Sequence, residues 1–354
     1  MRILLVRTSA LGDIVHTLPV LAALRQQLPD ACVGWVVEAT FAPLLKAHPD
    51  LNALFPVRTR AWRRQNALRT AGEIGHAIAR LRAFRADLAF DLMGNHKGAL
   101  LARLSGARRV IGPARQDRRE PSSALWIHEP VSLSGDHAID RALALLAPLG
   151  ITPKRVDLGG TRLLPEARPD ADLDLPYALI QPGAGWGNKQ YPAPWWGQVA
   201  KRLRKATGLA IRVLIAPGEA ALAEAVAAAS GGAATPIDAR AFEILVQRLR
   251  GACLVLGGDT GPLHLAHALG TRVLCVMGPT DPRRHGPYNA SHSALWHRLP
   301  CSFCYKRMSS TRACLLAIAP ERVVKRAISA LDRAAGVCMN DPARTAQGRR
   351  GTMT

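Results

Sequence analysis

Short apolar runs alternate along this chain with longer stretches whose apolar residues recur at helical spacing. A short apolar run bounded by glycine or polar residues is typical of a buried strand, and the longer spacing is typical of an amphipathic helix. The predicted strands are residues 3–6, 33–37, 53–57, 88–90, 109–112, 177–180, 211–216, 253–256 and 273–277. The predicted helices are residues 14–24, 39–47, 97–104, 139–147, 195–206, 220–229, 242–249, 262–269 and 321–331. Strands and helices that alternate in this way predict an α/β fold with parallel strands.

A change in composition divides the pattern. Residues 151–176 are rich in proline, glycine and charged residues, which is typical of an interdomain linker and an irregular entry into a second domain. A chain of 354 residues is long enough for two domains. We therefore predict domains at 1–160 and 161–320, a final helix at 321–337, and a disordered polar tail at 338–354.

The most informative stretch is 253–264, C-L-V-L-G-G-D-T-G-P-L-H. A short strand ends in two glycines, and Asp259 and Thr260 follow. Pro262 suits the first turn of a helix, because N–H groups in that turn have no partner within the helix and proline lacks one. The next strand completes a βαβ unit, whose ligands bind beyond the carboxyl ends of the strands. The free N–H groups at the helix start favour a diphosphate. The alternative is a tight turn without a ligand.

Asp13 occupies a similar position, after the first strand and at the start of the first helix. It could be a first-turn acid that complements the helix. It could also be a general base, since a carboxylate can accept the proton of a sugar hydroxyl.

Two further loops follow predicted strands of the second half. The loop P-G-A-G-W-G-N-K-Q-Y-P at 182–192 is rich in glycine but is not a P-loop, and Lys189 could neutralise a phosphate or be an ordinary exposed lysine. Glu219 could accept the two hydroxyls of a ribose, as acidic residues do in dinucleotide folds, or could complement the dipole of the helix that follows.

The formal charge of +21 is unusual for an enzyme of small neutral metabolites and indicates an anionic partner. Arginine binds carboxylates and phosphates through two parallel hydrogen bonds. We interpret two arginine clusters in loops as a wall for an acidic acceptor, although each could equally be a solvated basic loop. The clusters are Arg58, Arg60, Arg63 and Arg64 around Trp62, and Arg115, Arg118 and Arg119. Nucleic acid is not expected, because no known binding motif is present and aromatic residues make up only 5%.

Other compositional signals concern compartment and metal. No apolar run approaches the ~18 residues of a membrane span, and the N-terminus is too soon interrupted for a signal peptide. The seven cysteines are scattered, which favours a reducing cytoplasm. Cys301 and Cys304 form a C-x-x-C pair that Cys314 and His297 could complete as a zinc site, but the spacing matches no standard pattern and favours a loop without metal.

Taken together, the loops at strand ends resemble one family. The motifs are T-S-A-L-G-D-I-V-H-T-L-P at 8–19, P-G-A-G-W-G-N-K-Q-Y-P at 182–192, A-P-G-E at 216–219, G-G-D-T-G-P-L-H at 257–264 and G-P-T-D-P at 278–282. They resemble the family 9 glycosyltransferases, the ADP-heptose:lipopolysaccharide heptosyltransferases, over about residues 1 to 331. The basic loop with Trp62 and R-R-E-P at 118–121 resemble the heptosyltransferase I branch. The stretch C-S-F-C-Y-K-R at 301–307 resembles the heptosyltransferase II branch.

The resemblance implies the GT-B fold, in which two Rossmann-like domains face each other across a cleft. It implies that the N-terminal domain binds the acceptor, that the C-terminal domain binds the nucleotide sugar, and that the final helix crosses back to the first domain. It also implies an inverting transfer that needs neither metal nor cofactor. The expected reaction moves L-glycero-D-manno-heptose from ADP-heptose to Kdo-lipid A in the inner core of lipopolysaccharide.

The resemblance further assigns roles to residues. Asp13 matches the general base and Lys189 a catalytic, phosphate-binding lysine. The expected donor-binding residues are Gly185, Lys189, Glu219, Asp259, Thr260, Gly261 and His264. The expected acceptor-binding residues are Ser9, Gly12, Arg58, Arg60, Arg63, Arg64 and Arg119. Ala184 and Gly185 stand where the first branch has threonines, so backbone N–H groups would serve there.

These implications set the expected surroundings of the protein and the alternatives. We expect a monomer at the inner face of the cytoplasmic membrane, where anionic lipids attract basic proteins. A heptosyltransferase II-like acceptor, or another nucleotide sugar, is the first alternative. A non-enzymatic binder of nucleic acid or anionic lipid, built on the same fold, is the second.

Overall fold

The computed structural model describes residues 1–62, 66–167, 173 and 176–332. Its strands form two sheets of six parallel strands, and the predicted α/β class is therefore confirmed. The described residues divide into two compact units. The first contains those up to 167 together with 260–270 and 283–288, and the second contains the rest. The domain limits expected from the sequence stay predictions.

Each sheet has the same kind of strand order, with the first strand of the unit at an inner position. In the first unit the strands are β1 (Arg2–Val6), β2 (Cys32–Glu38), β3 (Ala53–Val57), β4 (Leu88–Asp91), β5 (Arg109–Pro113) and β6 (Glu129–Val131), in the order β3-β2-β1-β4-β5-β6. In the second they are β7 (Tyr177–Gln181), β8 (Ala210–Ile215), β9 (Ala234–Asp238), β10 (Leu254–Gly258), β11 (Val273–Val276) and β12 (Ala294–Leu295), in the order β12-β11-β10-β7-β8-β9.

Helices connect consecutive strands of the described chain except β5 and β6, which are joined by the 3₁₀ segments Arg115–Asp117 and Pro121–Trp126. The helices are α1 (Leu11–Val15), α2 (Leu18–Gln27), α3 (Ala42–Leu45), α4 (Thr59–Trp62), α5 (Ala67–Ala83), α6 (His96–Leu104), α7 (Ala138–Leu143), α8 (Ala193–Thr207), α9 (Ala220–Ala229), α10 (Phe242–Gly251), α11 (Gly261–Ala268), α12 (Pro282–His285), α13 (Ala313–Leu316) and α14 (Pro320–Asp332). None of these described helices combines the length and the apolar character that a membrane crossing requires.

The core of each unit is formed by the apolar runs that predicted its strands. In the first sheet Leu4 pairs with Gly34 of β2 and Ala89 of β4, and Phe84 packs on the same cluster. In the second, Ile180 packs with the fully buried Trp196 of α8. Burial of such side chains from water is the main favourable contribution to folding.

The first predicted helix, 14–24, is wrong in one respect, because the chain forms two helices there. Helix α1 ends at Val15, and α2 begins at Leu18 with Pro19 in its first turn. Pro19 has no N–H to donate to the carbonyl of Val15, so a continuous helix would lose a hydrogen bond at this point. The Thr17 hydroxyl instead donates to the Asp13 carbonyl at 2.9 Å.

The final helix packs within the second unit. Its described part, α14, contacts α8, β10 and β11, and Val323 and Ala327 are buried there. The expected continuation through 337 and the tail at 338–354 lie outside the described residues. A return of this helix to the first domain therefore stays a prediction.

All strands of a parallel sheet end at the same edge, and this edge positions the candidate site. In the first unit, the loops after β1, β3 and β5 lead to Asp13, Arg58 and Arg119, respectively. In the second, Lys189 follows β7, Glu219 follows β8 and Asp259 follows β10.

Candidate active site

The Asp13 carboxylate is held by two neighbours in the first unit. Its Oδ1 lies 2.8 Å from Arg7 Nη2, and its Oδ2 accepts a hydrogen bond from the Ala10 N–H at 3.0 Å. Arg7 is itself fixed, because it also donates to the Leu92 carbonyl. The Asp13 side chain nevertheless remains 44% exposed. Each carboxylate oxygen keeps a second lone pair, so an oriented and accessible proton acceptor results.

Helix α1, which carries Asp13, lies directly against the N-terminal end of α11. A Cβ placed on Gly12 would lie 3.0 Å from His264 Cδ2 and 3.7 Å from Gly261 Cα. A Cβ placed on Gly261 would lie 2.6 Å from Leu11 Cβ, closer than real Cβ atoms approach one another. The two glycines therefore permit this close approach.

The start of α11 leaves backbone donors without a partner in the helix. Pro262 has no N–H, so these donors are the N–H groups of Thr260, Gly261 and Leu263. Thr260 precedes the helix, and its hydroxyl oxygen is buried without a hydrogen-bond partner among the described residues. These donors, with the positive end of the helix dipole, form a potential binding site for an anion.

Three buried histidines fix the other side of this contact. The ring of His16, directly after α1, lies against His264 of α11, with centroids 4.4 Å apart, and 5.4 Å from His137. His137 Nδ1 accepts from the Ile139 N–H, so Nε2 carries the proton that it donates to the Gly286 carbonyl. Burial lowers the pKa of His137, against the opposing influence of that carbonyl and of Asp140. His137 is therefore the neutral imidazole.

In the second unit, Lys189 and Asp259 form an ion pair. Lys189 Nζ lies 2.5 Å from Asp259 Oδ2, and the side chains are only 14% and 8% exposed. The Thr280 hydroxyl donates to the same oxygen at 2.7 Å, and the lysine lies 4.5 Å from the centroid of the Trp186 ring. Two residues expected at the donor site are thus brought together.

Glu219 lies at the start of α9, close to the glycine-rich loop of Lys189. Gln181 Nε2 donates to its Oε2 at 3.1 Å. A Cβ on Gly183 would overlap the Glu219 carboxylate, so only glycine fits beside it. Burial raises the pKa of Glu219, while the bond from Gln181 opposes this.

The segment 301–312 supports the Lys189 loop, a role that the sequence analysis did not predict. Asn188 Nδ2 donates to the Lys306 carbonyl at 2.8 Å, and Asn188 Oδ1 accepts from the Met308 N–H at 3.2 Å. Arg307 donates to the Gly185 carbonyl at 3.2 Å. Among the described residues no group of three or more His, Cys, Asp or Glu side chains could hold a metal ion.

The expected acceptor residues are only partly described. Arg58, Arg60 and Arg119 are exposed, and Ser9 and Gly12 are half-buried in the loop after β1 and at the start of α1. Glu38 is buried and accepts from the Thr59 hydroxyl at 2.6 Å and from the Arg60 N–H at 3.3 Å. It thereby fixes the backbone of the Arg58 loop. Arg63 and Arg64 lie outside the described residues.

The interpretation of Arg118 as part of an acceptor wall is wrong. Its side chain is fully buried in an ion pair with Asp91, and it donates to the Ser123 hydroxyl at 2.8 Å and the Pro113 carbonyl at 3.0 Å. Burial raises the pKa of Asp91, and Arg118 opposes that rise. A guanidinium engaged in this way has a structural role and cannot reach an acceptor.

Comparison with known proteins adds independent information. The model of glycosyltransferase family 9 (heptosyltransferase) matches residues 74–314. The chain is 33% identical over 312 residues to lipopolysaccharide heptosyltransferase 1 of Pseudomonas aeruginosa, with 87% of each protein covered. It is 27% identical over 303 residues to lipopolysaccharide heptosyltransferase 3 of Escherichia coli, covering 80% of this chain and 86% of that protein.

Solved structures agree with this. The structure of E. coli heptosyltransferase WaaC with ADP matches at a TM-score of 0.78 and 26% identity, covering 93% of this chain and 100% of that one. The E. coli ADP-heptose lps heptosyltransferase II structure matches at a TM-score of 0.72 and 20% identity, covering 95% and 100%. The expected GT-B class, with two Rossmann-like sheets, is confirmed by these neighbours. The chain therefore belongs to glycosyltransferase family 9, the heptosyltransferase family, and is a glycosyltransferase.

Proposed function

We propose that this protein transfers L-glycero-D-manno-heptose from ADP-heptose to a Kdo-lipid A acceptor of the lipopolysaccharide inner core, with inversion at the anomeric carbon. The curated relatives are lipopolysaccharide heptosyltransferases, and the WaaC structure holds ADP. The observation that carries the proposal is the Asp13 carboxylate, oriented by Arg7 and Ala10, on a helix packed against the N-terminal end of α11.

In this mechanism Asp13 is the general base. The acceptor hydroxyl donates its proton to the Asp13 carboxylate while its oxygen forms a bond to the anomeric carbon of heptose. The bond from that carbon to the diphosphate oxygen breaks at the same time, and ADP leaves from the opposite face. Direct displacement of this kind inverts the anomeric configuration. Positioned general bases contribute about 10²- to 10⁴-fold to such reactions.

The leaving diphosphate gains negative charge, which the protein must stabilise. We assign this to the N–H groups at the start of α11, around Thr260 and Gly261, and to Lys189. His264, one turn into α11, is assigned to the donor sugar and diphosphate as well. In this proposal no metal ion is required, since these fixed donors supply the positive charge. A chelator should then leave turnover unchanged.

The nucleoside end of the donor is assigned to the second unit. Glu219 would accept hydrogen bonds from the two ribose hydroxyls, in competition with Gln181. The backbone N–H groups around Gly185 would donate hydrogen bonds to the phosphates. Asp259 would keep Lys189 in position, through the ion pair already formed in the free protein.

The acceptor is assigned to the first unit. Ser9 and Gly12 would line the approach to Asp13. The Kdo carboxylates would be held by the forked guanidinium groups of Arg58, Arg60 and Arg119, together with Arg63 and Arg64. Kdo-lipid A lies in a membrane, so we propose peripheral association of a monomer with the inner face of the cytoplasmic membrane. The charge of +21 favours binding to anionic surfaces.

A product assay with ADP-heptose and Kdo₂-lipid A tests the proposal. The expected product carries one added heptose, released together with one ADP. If no product forms and calorimetry detects binding of neither ADP nor ADP-heptose, the proposed donor is wrong. If product forms only from heptosyl-Kdo₂-lipid A, the heptosyltransferase II-like alternative, suggested by the segment 301–307, is correct.

A further inference from the structure

Two exposed apolar side chains follow Arg119, one of the proposed acceptor-binding residues of the first unit. Residues 121–126 form a 3₁₀ helix, Pro121–Trp126, after Arg119. Leu125 is 86% exposed and Trp126 is 37% exposed. Both side chains contact water, although burying their apolar surface would be favourable in free energy. We call Leu125 and Trp126 the apolar step.

The apolar step is presented by a rigid support. Ser123, two residues before Leu125, is fully buried and receives a hydrogen bond from Arg118. The Trp126 indole N–H donates to His96 Nδ1 at 3.4 Å, and His96 Nε2 lies 2.8 Å from the Ser122 hydroxyl. The exposure of Leu125 is therefore a property of a pinned segment and not of a loose loop.

The charge around the apolar step is positive. Arg115 and Arg119 are exposed and form no ion pair with another described residue. Of the two nearby acids, Asp117 is neutralised by Arg141 at 2.7 Å. The Glu120 carboxylate accepts a hydrogen bond from the backbone N–H of His96 at 2.8 Å, so one acid stands against the two arginines. An approaching surface would meet two apolar side chains on a segment that also carries two exposed arginines.

We propose that the apolar step inserts into the interface of an anionic lipid bilayer and docks the first unit on it. Tryptophan favours the level of the lipid headgroups, where its ring is apolar and its N–H remains hydrogen-bonded. Leucine adds apolar area, and Arg115 and Arg119 add attraction to anionic headgroups. A lipid surface fits better than a protein partner, since the step consists of only two side chains and lies close in sequence to the exposed Arg115 and Arg119. The inference rests on the proposed function, because an enzyme that acts on a lipid-linked acceptor must reach it at a membrane.

Vesicle co-sedimentation of the full chain tests this without donor or acceptor. The unmodified protein should bind vesicles of phosphatidylglycerol and phosphatidylethanolamine, and should bind pure phosphatidylcholine far more weakly. The double variant Leu125→Ser/Trp126→Ser should bind the anionic vesicles about tenfold more weakly, with an unchanged melting temperature. Leu316→Ser is the matched control, because Leu316 is also an exposed leucine, at 45%, in the second unit. It should bind as the unmodified protein does.

Three outcomes would overturn the proposal. The double variant could bind anionic vesicles normally, Leu316→Ser could lose as much binding, or the double variant could change the oligomeric state instead, which would make the step a contact between copies of the chain. The test is independent of the reaction. If vesicle binding follows the pattern above but no heptose is transferred, the proposed function fails and the docking surface stands.

Discussion

Lys189 Nζ and Asp259 Oδ2 lie 2.5 Å apart, although the two residues are separated by 70 positions in the chain. The pair joins the glycine-rich loop after β7 to the end of β10, immediately before the helix whose N-terminus is assigned to the diphosphate. Because both side chains are nearly buried, the lysine cannot swing freely into solvent. Its charge is held in position before any donor arrives, which is the condition for efficient electrostatic stabilisation.

Replacing this lysine should therefore damage donor binding and turnover together. We expect Lys189→Ala to weaken ADP binding about tenfold and to lower kcat about 10²-fold, since one charge-stabilising donor is lost. Calorimetry with ADP and steady-state kinetics would measure the two effects. Lys201→Ala, which removes an exposed lysine of α8, is the control. Normal kinetics in Lys189→Ala would show that the lysine is only a partner of Asp259.

Replacing Glu219 should make the folded protein more stable but weaken donor binding. Burial raises the pKa of its carboxyl, because the ionised form is less favourable in the folded state than in the unfolded chain. The contribution of Glu219 to the free energy of unfolding therefore declines as pH rises through the raised pKa. Glu219→Gln should raise the unfolding midpoint at neutral pH and also weaken ADP binding, because the amide is a poorer acceptor for ribose hydroxyls. Thermal unfolding and calorimetry on the same preparation would check this. A variant that binds ADP normally would exclude Glu219 from the ribose site.

Arg118 and Arg119 are neighbours with opposite expected phenotypes. Arg118→Ala leaves the Asp91 carboxylate buried without its partner and should cost about 3–5 kcal/mol of unfolding free energy. Arg119→Ala removes an exposed side chain and should change stability by less than about 0.5 kcal/mol while raising KM for the acceptor. Urea unfolding and acceptor titrations separate the two. Equal stability losses would contradict the structural role given to Arg118.

The burial of His137 predicts that the folded protein becomes less stable at low pH. Burial lowers the pKa of His137 below its usual 6.5, so the unfolded chain binds more protons than the folded one as pH falls below that value. Stability should then fall with decreasing pH by up to about 1 kcal/mol per unit. His137→Gln should reduce this slope in urea unfolding between neutral and mildly acidic pH. His48, whose pKa burial also lowers, should account for part of the remaining slope. An unchanged slope in His137→Gln would refute the assignment.

The sequence predicts most strands because a buried parallel strand is a short continuous apolar run, and glycine, proline or polar residues here limit its length. It also places Asp13, Lys189 and Asp259 at strand ends, where parallel strands bring loops to one edge. Helix α5 was not predicted. Its apolar signal is diluted by many exposed positions, and Gly72 and Gly75 lower its helix propensity.

Other features depend on contacts that no local pattern contains. The approach of α1 to α11 brings Gly12 close to Gly261, far apart in the chain, and the sequence analysis did not predict this contact. Arg118 and Arg119 are chemically identical in the sequence. A polar Asp91 directly after the apolar run 88–90 was the available signal that one arginine would be buried as its partner.

The central claim is that Asp13 removes the proton of the acceptor hydroxyl. Asp13→Asn keeps the size of the side chain and could still accept from the Ala10 N–H, but it cannot take a proton. The most direct test is the single-turnover rate of heptose transfer by this variant, with ADP-heptose affinity measured by calorimetry on the same protein. We expect the rate to fall about 10³-fold with donor affinity nearly unchanged. Transfer by Asp13→Asn at the rate of the unmodified protein would contradict the account.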